Sequence, residues 1–274
     1  MNLKKILYNF YLWPAFGTIT LFCLLAMPFF LLGAILVTRW PLGKAVRKAI
    51  RLYGWLLVRL LSFPGPVAFE NQAPEISSPA IFTPNHYSSV DPYLFGLLPV
   101  ENAFVTSWPF KIPVYNHFMR LAGYINSRQG WTQLVRQGRQ LLEAGCSLII
   151  WPEGHRSRDG SLGRFRMGAF RLACLTGTPI IPVCIVGTDR VLPPGQRFLS
   201  PHRVKMILLP PISPERYRDH PEGAKRLREE TREAIAAELR RQGVEPAKTA
   251  VPADHLHEVF FHPHLQGSEH GTSI

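Results

Sequence analysis

Two short stretches of this sequence carry the side chains that could do chemistry. One is Asn85-His86-Tyr87-Ser88-Ser89-Val90-Asp91, the other Trp151-Pro152-Glu153-Gly154-His155-Arg156-Ser157. A neutral imidazole whose second nitrogen faces a carboxylate is a competent general base, because the carboxylate fixes the tautomer and stabilises the imidazolium. Five steps along a helix put two side chains about 140° apart, and five along a strand put them on opposite faces. His86 and Asp91 can therefore meet only if the segment between them turns, and Asn85, Ser88 and Ser89 suit a turn. Asp91 before Pro92 also fits a helix N-cap, so at this point pairing and capping both stand open.

Ser88 and Ser89 adjoin the histidine, but the chain has no Gly-x-Ser-x-Gly elbow. A base here would then take its proton from a bound hydroxyl, without an acyl-enzyme. In the second stretch Arg156, Arg158, Arg164 and Arg166 crowd together. Planar guanidinium groups match phosphate oxygens bidentately, so this loop reads as a phosphate cradle, with a solvated basic surface as the alternative. Arg128 could join from another edge.

The elements that would position these loops follow from periodicity. Ala80 to Thr83, Ala103 to Thr106, Ser147 to Trp151, Ile180 to Val186 and Val204 to Leu209 read as short buried strands. Between them, helices are expected over Pro92–Leu98, Val114–Ala122, 131–142, Met167–Thr176 and Ala224–Gln242. This alternation predicts an α/β layered sheet. The organisation expected is a membrane-embedded or interfacial helical segment over 1–63, a catalytic domain over 64–243 and a disordered tail over 244–274.

The N-terminal segment has its own logic. From Ile6 to Thr38 there is no charged residue. At about 1.5 Å per residue, the run is too long for one straight span of a ~30 Å hydrocarbon core. Pro14 and Pro28 divide it, and cations flank it on both sides: Lys4 and Lys5 before, Arg39, Lys44, Arg47, Lys48 and Arg51 after. The positive-inside bias then predicts a re-entrant hairpin bent near Pro28, with both ends cytosolic, and a kinked single span with its N-terminus outside stands as the alternative. Residues 42–63 read as a basic amphipathic helix with Val46, Ile50, Tyr53, Leu57 and Leu60 on its apolar side.

The net charge is +12 with only 18% charged residues. A basic balance suits nucleic acid, anionic lipid or an anionic substrate, and the uncharged N-terminal run favours lipid over nucleic acid. The four cysteines, at 23, 146, 174 and 184, have no metal-like spacing and read as reduced packing residues.

At the two chemical stretches the sequence resembles the glycerolipid acyltransferases, the bacterial 1-acyl-sn-glycerol-3-phosphate acyltransferases in particular. Asn85, His86, Ser88 and Asp91 resemble that family's His-x4-Asp motif, Gly123 to Arg128 its second motif, and Trp151 to Ser157 its Phe-Pro-Glu-Gly-Thr-Arg-Ser motif. Ile180-Ile181-Pro182-Val183 resembles the fourth. The departures are Trp151 for Phe, His155 for Thr, and Thr106 and Ser107 where members often carry lysine.

The resemblance implies an acyl transfer from acyl-CoA or acyl carrier protein to the free hydroxyl of a lysophospholipid, lysophosphatidic acid first. It implies no cofactor beyond the acyl donor and no metal. It implies His86 as base, Asp91 as its partner, Arg128, Glu153, Gly154, Arg156 and Ser157 around the acceptor, and Pro182 as support for the acyl pocket. The expected place is a membrane, with the active site on its cytoplasmic face, the inner membrane if the chain is bacterial. Rival readings are another lysolipid acceptor such as a lyso-ornithine lipid, an acyl-thioester hydrolase, and a non-catalytic membrane-binding protein.

Overall fold

A computed structural model describes residues 3–61, 66–73, 76 and 78–245. The tail beyond residue 245 and most of the expected boundary at Phe63–Pro66 lie outside the described residues. The domain is built on one seven-stranded sheet: β1 (Val67–Asn71), β2 (Ile81–Pro84), β3 (Asn102–Thr106), β4 (Ile125–Asn126), β5 (Ser147–Ile150), β6 (Ile180–Val186) and β7 (Val204–Leu208). Their spatial order is β1-β7-β6-β2-β5-β3-β4. The run from β6 to β4 is parallel throughout; β7 pairs antiparallel to β6, and β1 parallel to β7.

The parallel core explains the sequence pattern. Every residue of β2 and β5 is buried, as expected of central strands covered on both faces. Ile81, Leu148, Ile180 and Ile207 enter one apolar cluster, and Phe82, Ile149, Ile181 and Met206 enter the other, so alternate residues feed opposite layers. The expected strands are all present. β1 was not foreseen: among the described residues it pairs with β7 alone, at the sheet's edge, and its short Val67/Phe69 alternation is weak.

Among the described residues, eight α-helices surround the sheet: α1 (Leu3–Thr38), α2 (Leu42–Leu61), α3 (Asp91–Leu94), α4 (Pro113–Leu121), α5 (Trp131–Glu143), α6 (Gly168–Thr176), α7 (Thr188–Val191) and α8 (Gly223–Arg241). The re-entrant hairpin expected within residues 6–38 is not formed; the N-terminal helical pair is instead α1 with α2. α1 runs unbroken through Pro14 and Pro28 for 36 residues, and the chain turns at Arg39–Pro41. Each proline removes one backbone hydrogen bond, a loss that an otherwise intact apolar helix absorbs. The true stop is Arg39, whose φ of 55° is left-handed, followed by Pro41 before α2.

α1 lies along the domain and is held at both ends. Near its start, Asn9 is buried and bonds the backbone of Leu199 twice, Nδ2 donating to the carbonyl and Oδ1 accepting from the amide, each at 2.8 Å. Thr20 and the Tyr53 hydroxyl share a hydrogen bond midway, and Leu31 packs on the core near the far end. Its other face exposes Leu21, Phe22, Leu25, Phe29, Leu32 and Leu36.

α2 is less a membrane surface than its composition suggests. Arg47 donates to Glu101 and to the Ala122 carbonyl, and Arg51 donates to the Leu98 carbonyl, so two expected outward cations dock the helix onto the domain. Leu60, expected on the apolar side, is exposed. The contact is close because two glycines meet. A Cβ on Gly96 would lie 2.3 Å from the Trp55 amide nitrogen, so any larger residue there would push α2 off. Of the cysteines, Cys146 and Cys184 are buried and free, as expected, whereas Cys174 is exposed.

Candidate active site

The parallel strands β2, β3, β4 and β5 all end at one edge of the sheet, where β3 ends on Thr106 and the segments leaving the other three carry His86, Arg128 and Glu153. In open α/β sheets this carboxyl edge is where ligands bind. Residues 67 positions apart in sequence are neighbours because β2 and β5 are neighbours.

The loop after β2 turns as the His-x4-Asp spacing requires. Asp91 Oδ2 accepts from His86 Nδ1 at 2.8 Å and from the backbone amides of Tyr87 and Ser88 at 2.9 Å each. The capping alternative is set aside: Asp91 is the first residue of α3, the cap position is Val90, and no side chain caps the helix. The fully buried carboxylate points back into the loop, orienting the ring. With Nδ1 donating to Asp91, Nε2 keeps its lone pair for a substrate proton, and the histidine side chain is 17% exposed. The imidazole lies 5.0 Å from the Trp151 ring, which stacks on Phe104 at 5.5 Å and meets Phe95 edge-on. Trp in place of Phe thus forms one wall of the base.

Asn85 and Ser88 hold this loop. Asn85 is buried, and its amide donates to the Ile185 carbonyl (2.8 Å) while accepting from the Ile185 amide (2.7 Å). A side chain thereby continues the β2–β6 ladder past Pro84, where the backbone leaves the sheet. Ser88 Oγ donates to the Leu192 carbonyl. That engagement, with Ser88 fully buried, argues against it as a nucleophile.

Glu153 occupies a different place from the acceptor-facing one the resemblance implied. It is 3% exposed, and its two oxygens accept from the backbone amides of His86 and Gly163, each at 2.8 Å. Burial pushes its carboxyl up to about 7, with the two amide bonds and the His86 charge pulling the other way. It clips the arginine loop to the histidine loop, helped by the Ser157 amide donating to the His86 carbonyl at 2.8 Å.

The other expected residues divide between frame and rim. Gly154 has φ +77°, and a Cβ there would sit 2.8 Å from Arg166 Nε, so the turn under that guanidinium requires glycine. Arg156, Arg158, Arg164, Arg166 and, from the end of β4, Arg128 are all exposed. His155 is exposed among them. Ser157 spends its hydroxyl on Asp159, whose carboxyl is held low, at about 2, by Ser161 and Ser157. Pro182 is buried in β6 beside Thr83, supporting the strand that leads to the histidine.

Sequence reading missed Arg232, on α8 far along the chain. It donates to the carbonyls of Gly163 (Nε, 3.1 Å) and Leu162 (Nη2, 2.8 Å). A chain of hydrogen bonds thus runs from α8 through Gly163 and Glu153 to the His86 backbone. The available signal was an arginine one turn before buried Ala236, beside the Leu227/Thr231/Ile235 stripe. Among the described residues no cluster of His, Cys, Asp and Glu is arranged to hold a metal ion.

Known proteins resemble this chain in both sequence and fold. Residues 66–186 match the family model described as Acyltransferase. The chloroplastic 1-acyl-sn-glycerol-3-phosphate acyltransferase BAT2 of Brassica napus is 31% identical over 145 residues, covering 51% of this chain and 42% of that protein. The chloroplastic LPAT1 of Arabidopsis thaliana is 31% identical over the same length, covering 51% and 41%. The chain therefore spans about two-fifths of the length of these plant relatives. Among solved structures, the 1-acyl-sn-glycerophosphate (LPA) acyltransferase PlsC of Thermotoga maritima superposes with a TM-score of 0.68 at 25% identity, covering 86% of this chain and 98% of that one. The segment that matches the Acyltransferase model, residues 66–186, takes in both chemical loops and most of the parallel sheet, and proteins similar to this chain carry the name 1-acyl-sn-glycerol-3-phosphate acyltransferase.

Proposed function

We propose that this chain transfers an acyl group from a thioester of coenzyme A or acyl carrier protein to the free hydroxyl of lysophosphatidic acid, giving phosphatidic acid. The observation that carries the reading is His86 held through Nδ1 by buried Asp91, with Nε2 free, at a sheet edge rimmed by exposed arginines. Nε2 takes the proton of the acceptor hydroxyl as its oxygen attacks the thioester carbonyl. The C–O bond forms, the C–S bond breaks, and the imidazolium returns its proton to the departing thiolate. Asp91 stabilises the imidazolium between these steps. Arg156, Arg128 and their exposed neighbours hold the acceptor phosphate, while Glu153, Gly154 and Ser157 fix the loop that presents them.

The acceptor arrives from a lipid surface. α1 is long and apolar enough to cross a membrane, yet Asn9 and Leu31 tie both its halves to the domain. Cations flank both ends. These features favour α1 lying in one leaflet with the 64–243 domain on the cytosolic side.

The test is a panel of lysolipid acceptors, lysophosphatidic acid and a lyso-ornithine lipid among them, offered to the purified protein with acyl-CoA and acyl carrier protein donors. Mass spectrometry should identify phosphatidic acid as the main product. Preferred acylation of a phosphate-free acceptor, or thioester release that no acceptor increases, would overturn the assignment.

A further inference from the structure

The domain itself carries an exposed apolar ridge beside the site. Trp108 is 67% exposed, Val114 55% and Leu121 44%. Trp108 leads from the end of β3 into a single 3₁₀ turn at Pro109–Lys111, and α4 follows. Seven residues apart on that helix, Val114 and Leu121 share one stripe, while Phe118 and Met119 pack inward against the core. A tryptophan this exposed, followed by two exposed aliphatic residues on the next helix, is an unusual surface for a domain with a well-filled core.

Three further observations say what covers it. The first is charge: residues 102–142 contain no Asp or Glu, yet hold Lys111, Arg120, Arg128, Arg136 and Arg139. Residues 1–69 contain no Asp or Glu either. The second is continuity with the apolar helical pair. The Leu121 carbonyl lies against Gly43, where an added Cβ would come within 3.3 Å, and exposed Leu42 stands next to it. At the neighbouring turn Lys44 sits over the Trp40 ring at 5.7 Å. Aromatic, aliphatic and cationic side chains in this mixture suit the headgroup region of a bilayer. The third is position. Trp108 follows the same strand edge that carries His86 and Arg128, so a surface pressed on this ridge lies at the mouth of the site.

We propose that the Trp108–Leu121 segment is a second membrane contact, separate from α1, that docks on anionic lipid. Trp108, Val114 and Leu121 enter the interface, and Lys111 and Arg120 meet lipid phosphates. The contact turns the strand-end site toward the bilayer. It rests on the lipid-acceptor reading above, but its test needs no turnover.

Full-length protein carrying His86→Ala is mixed with vesicles of phosphatidylcholine, with and without phosphatidylglycerol, and with vesicles whose acyl chains are brominated. Brominated chains should quench a tryptophan component that Trp108→Phe removes. The triple variant Trp108→Ser, Val114→Ser, Leu121→Ser should partition more weakly into both kinds of vesicle. Lys111→Glu with Arg120→Glu should weaken only the anionic case, by roughly fivefold for each charge. In protein with His86 intact, the triple variant should lose activity on vesicle-borne acceptor while keeping it on a monomeric short-chain acceptor. Quenching unchanged by Trp108→Phe, or variants that bind both vesicles like the parent, would overturn the proposal. So would variants that change only self-association in detergent, which would make the ridge a protein interface. Lack of acyl transfer with intact docking would count against the catalytic reading alone.

Discussion

Replacing Asp91 by Asn separates orientation of the base from stabilisation of its charge. The two side chains have nearly the same shape. The amide oxygen can take the place of Oδ2 and keep the bonds from the Tyr87 and Ser88 amides and from His86 Nδ1. The amide nitrogen then replaces Oδ1, a buried atom with no hydrogen-bond partner among the described residues. Leaving that donor unsatisfied costs about 1–3 kcal/mol, or a fall in Tm of a few degrees to about ten. What cannot be kept is the negative charge beside the imidazolium. At an effective dielectric near 20, two unit charges ~4 Å apart attract by about 4 kcal/mol, which corresponds to roughly a 10³-fold fall in kcat. The acceptor KM should move little, because the phosphate is held elsewhere. Initial rates with purified protein, alongside thermal unfolding, measure both quantities. A variant within about tenfold of the parent in kcat, or one whose loss appears in KM alone, would refute the charge-stabilisation argument.

Three further outcomes are expected. Asn85→Ala strips the Ile185 amide and carbonyl of buried partners and should destabilise the fold by about 2–5 kcal/mol in chemical denaturation; a change under 1 kcal/mol would show that the loop does not depend on this clamp. Arg232→Ala should lower kcat about tenfold with acceptor KM within about twofold, since it acts through Gly163 and Glu153 and not on the acceptor; a pure KM effect would contradict that route. Because burial raises the Glu153 carboxyl from 4.5 to about 7 in the folded state, its contribution to stability is fully present below about 4.5 and lost as pH rises through about 7. Between pH 5 and 8 the parent should therefore lose up to ~3 kcal/mol relative to Glu153→Gln, and a gap that is flat or of opposite sign would show the carboxyl is not raised.

What the sequence discloses and what it conceals differ for physical reasons. Central strands announce themselves because burial on both faces demands an apolar run, as in Ser147–Ile150. The histidine–aspartate pair is legible because spacing alone excludes a straight helix or strand between them. Glu153 is not, since a buried carboxylate bonded to two backbone amides has the same local sequence as one facing a ligand; only the third dimension brings Gly163 and His86 to it. Pro28 misleads because a proline's local cost is fixed while its tolerance depends on the rest of an apolar helix. Arg47 and Arg51 mislead similarly: their charge suggests a surface, but Glu101 and two backbone carbonyls of the domain claim them. Arg232 reaches the site across 69 residues of chain, a distance no local pattern records.

The most direct test of the central claim compares the parent with His86→Ala in one assay: purified protein, lysophosphatidic acid, an acyl thioester, and product identified by mass spectrometry. The account predicts phosphatidic acid from the parent and at least a 10³-fold lower rate from the variant, with unfolding temperature and vesicle binding preserved. Phosphatidic acid formed by His86→Ala at a rate near the parent's would contradict it.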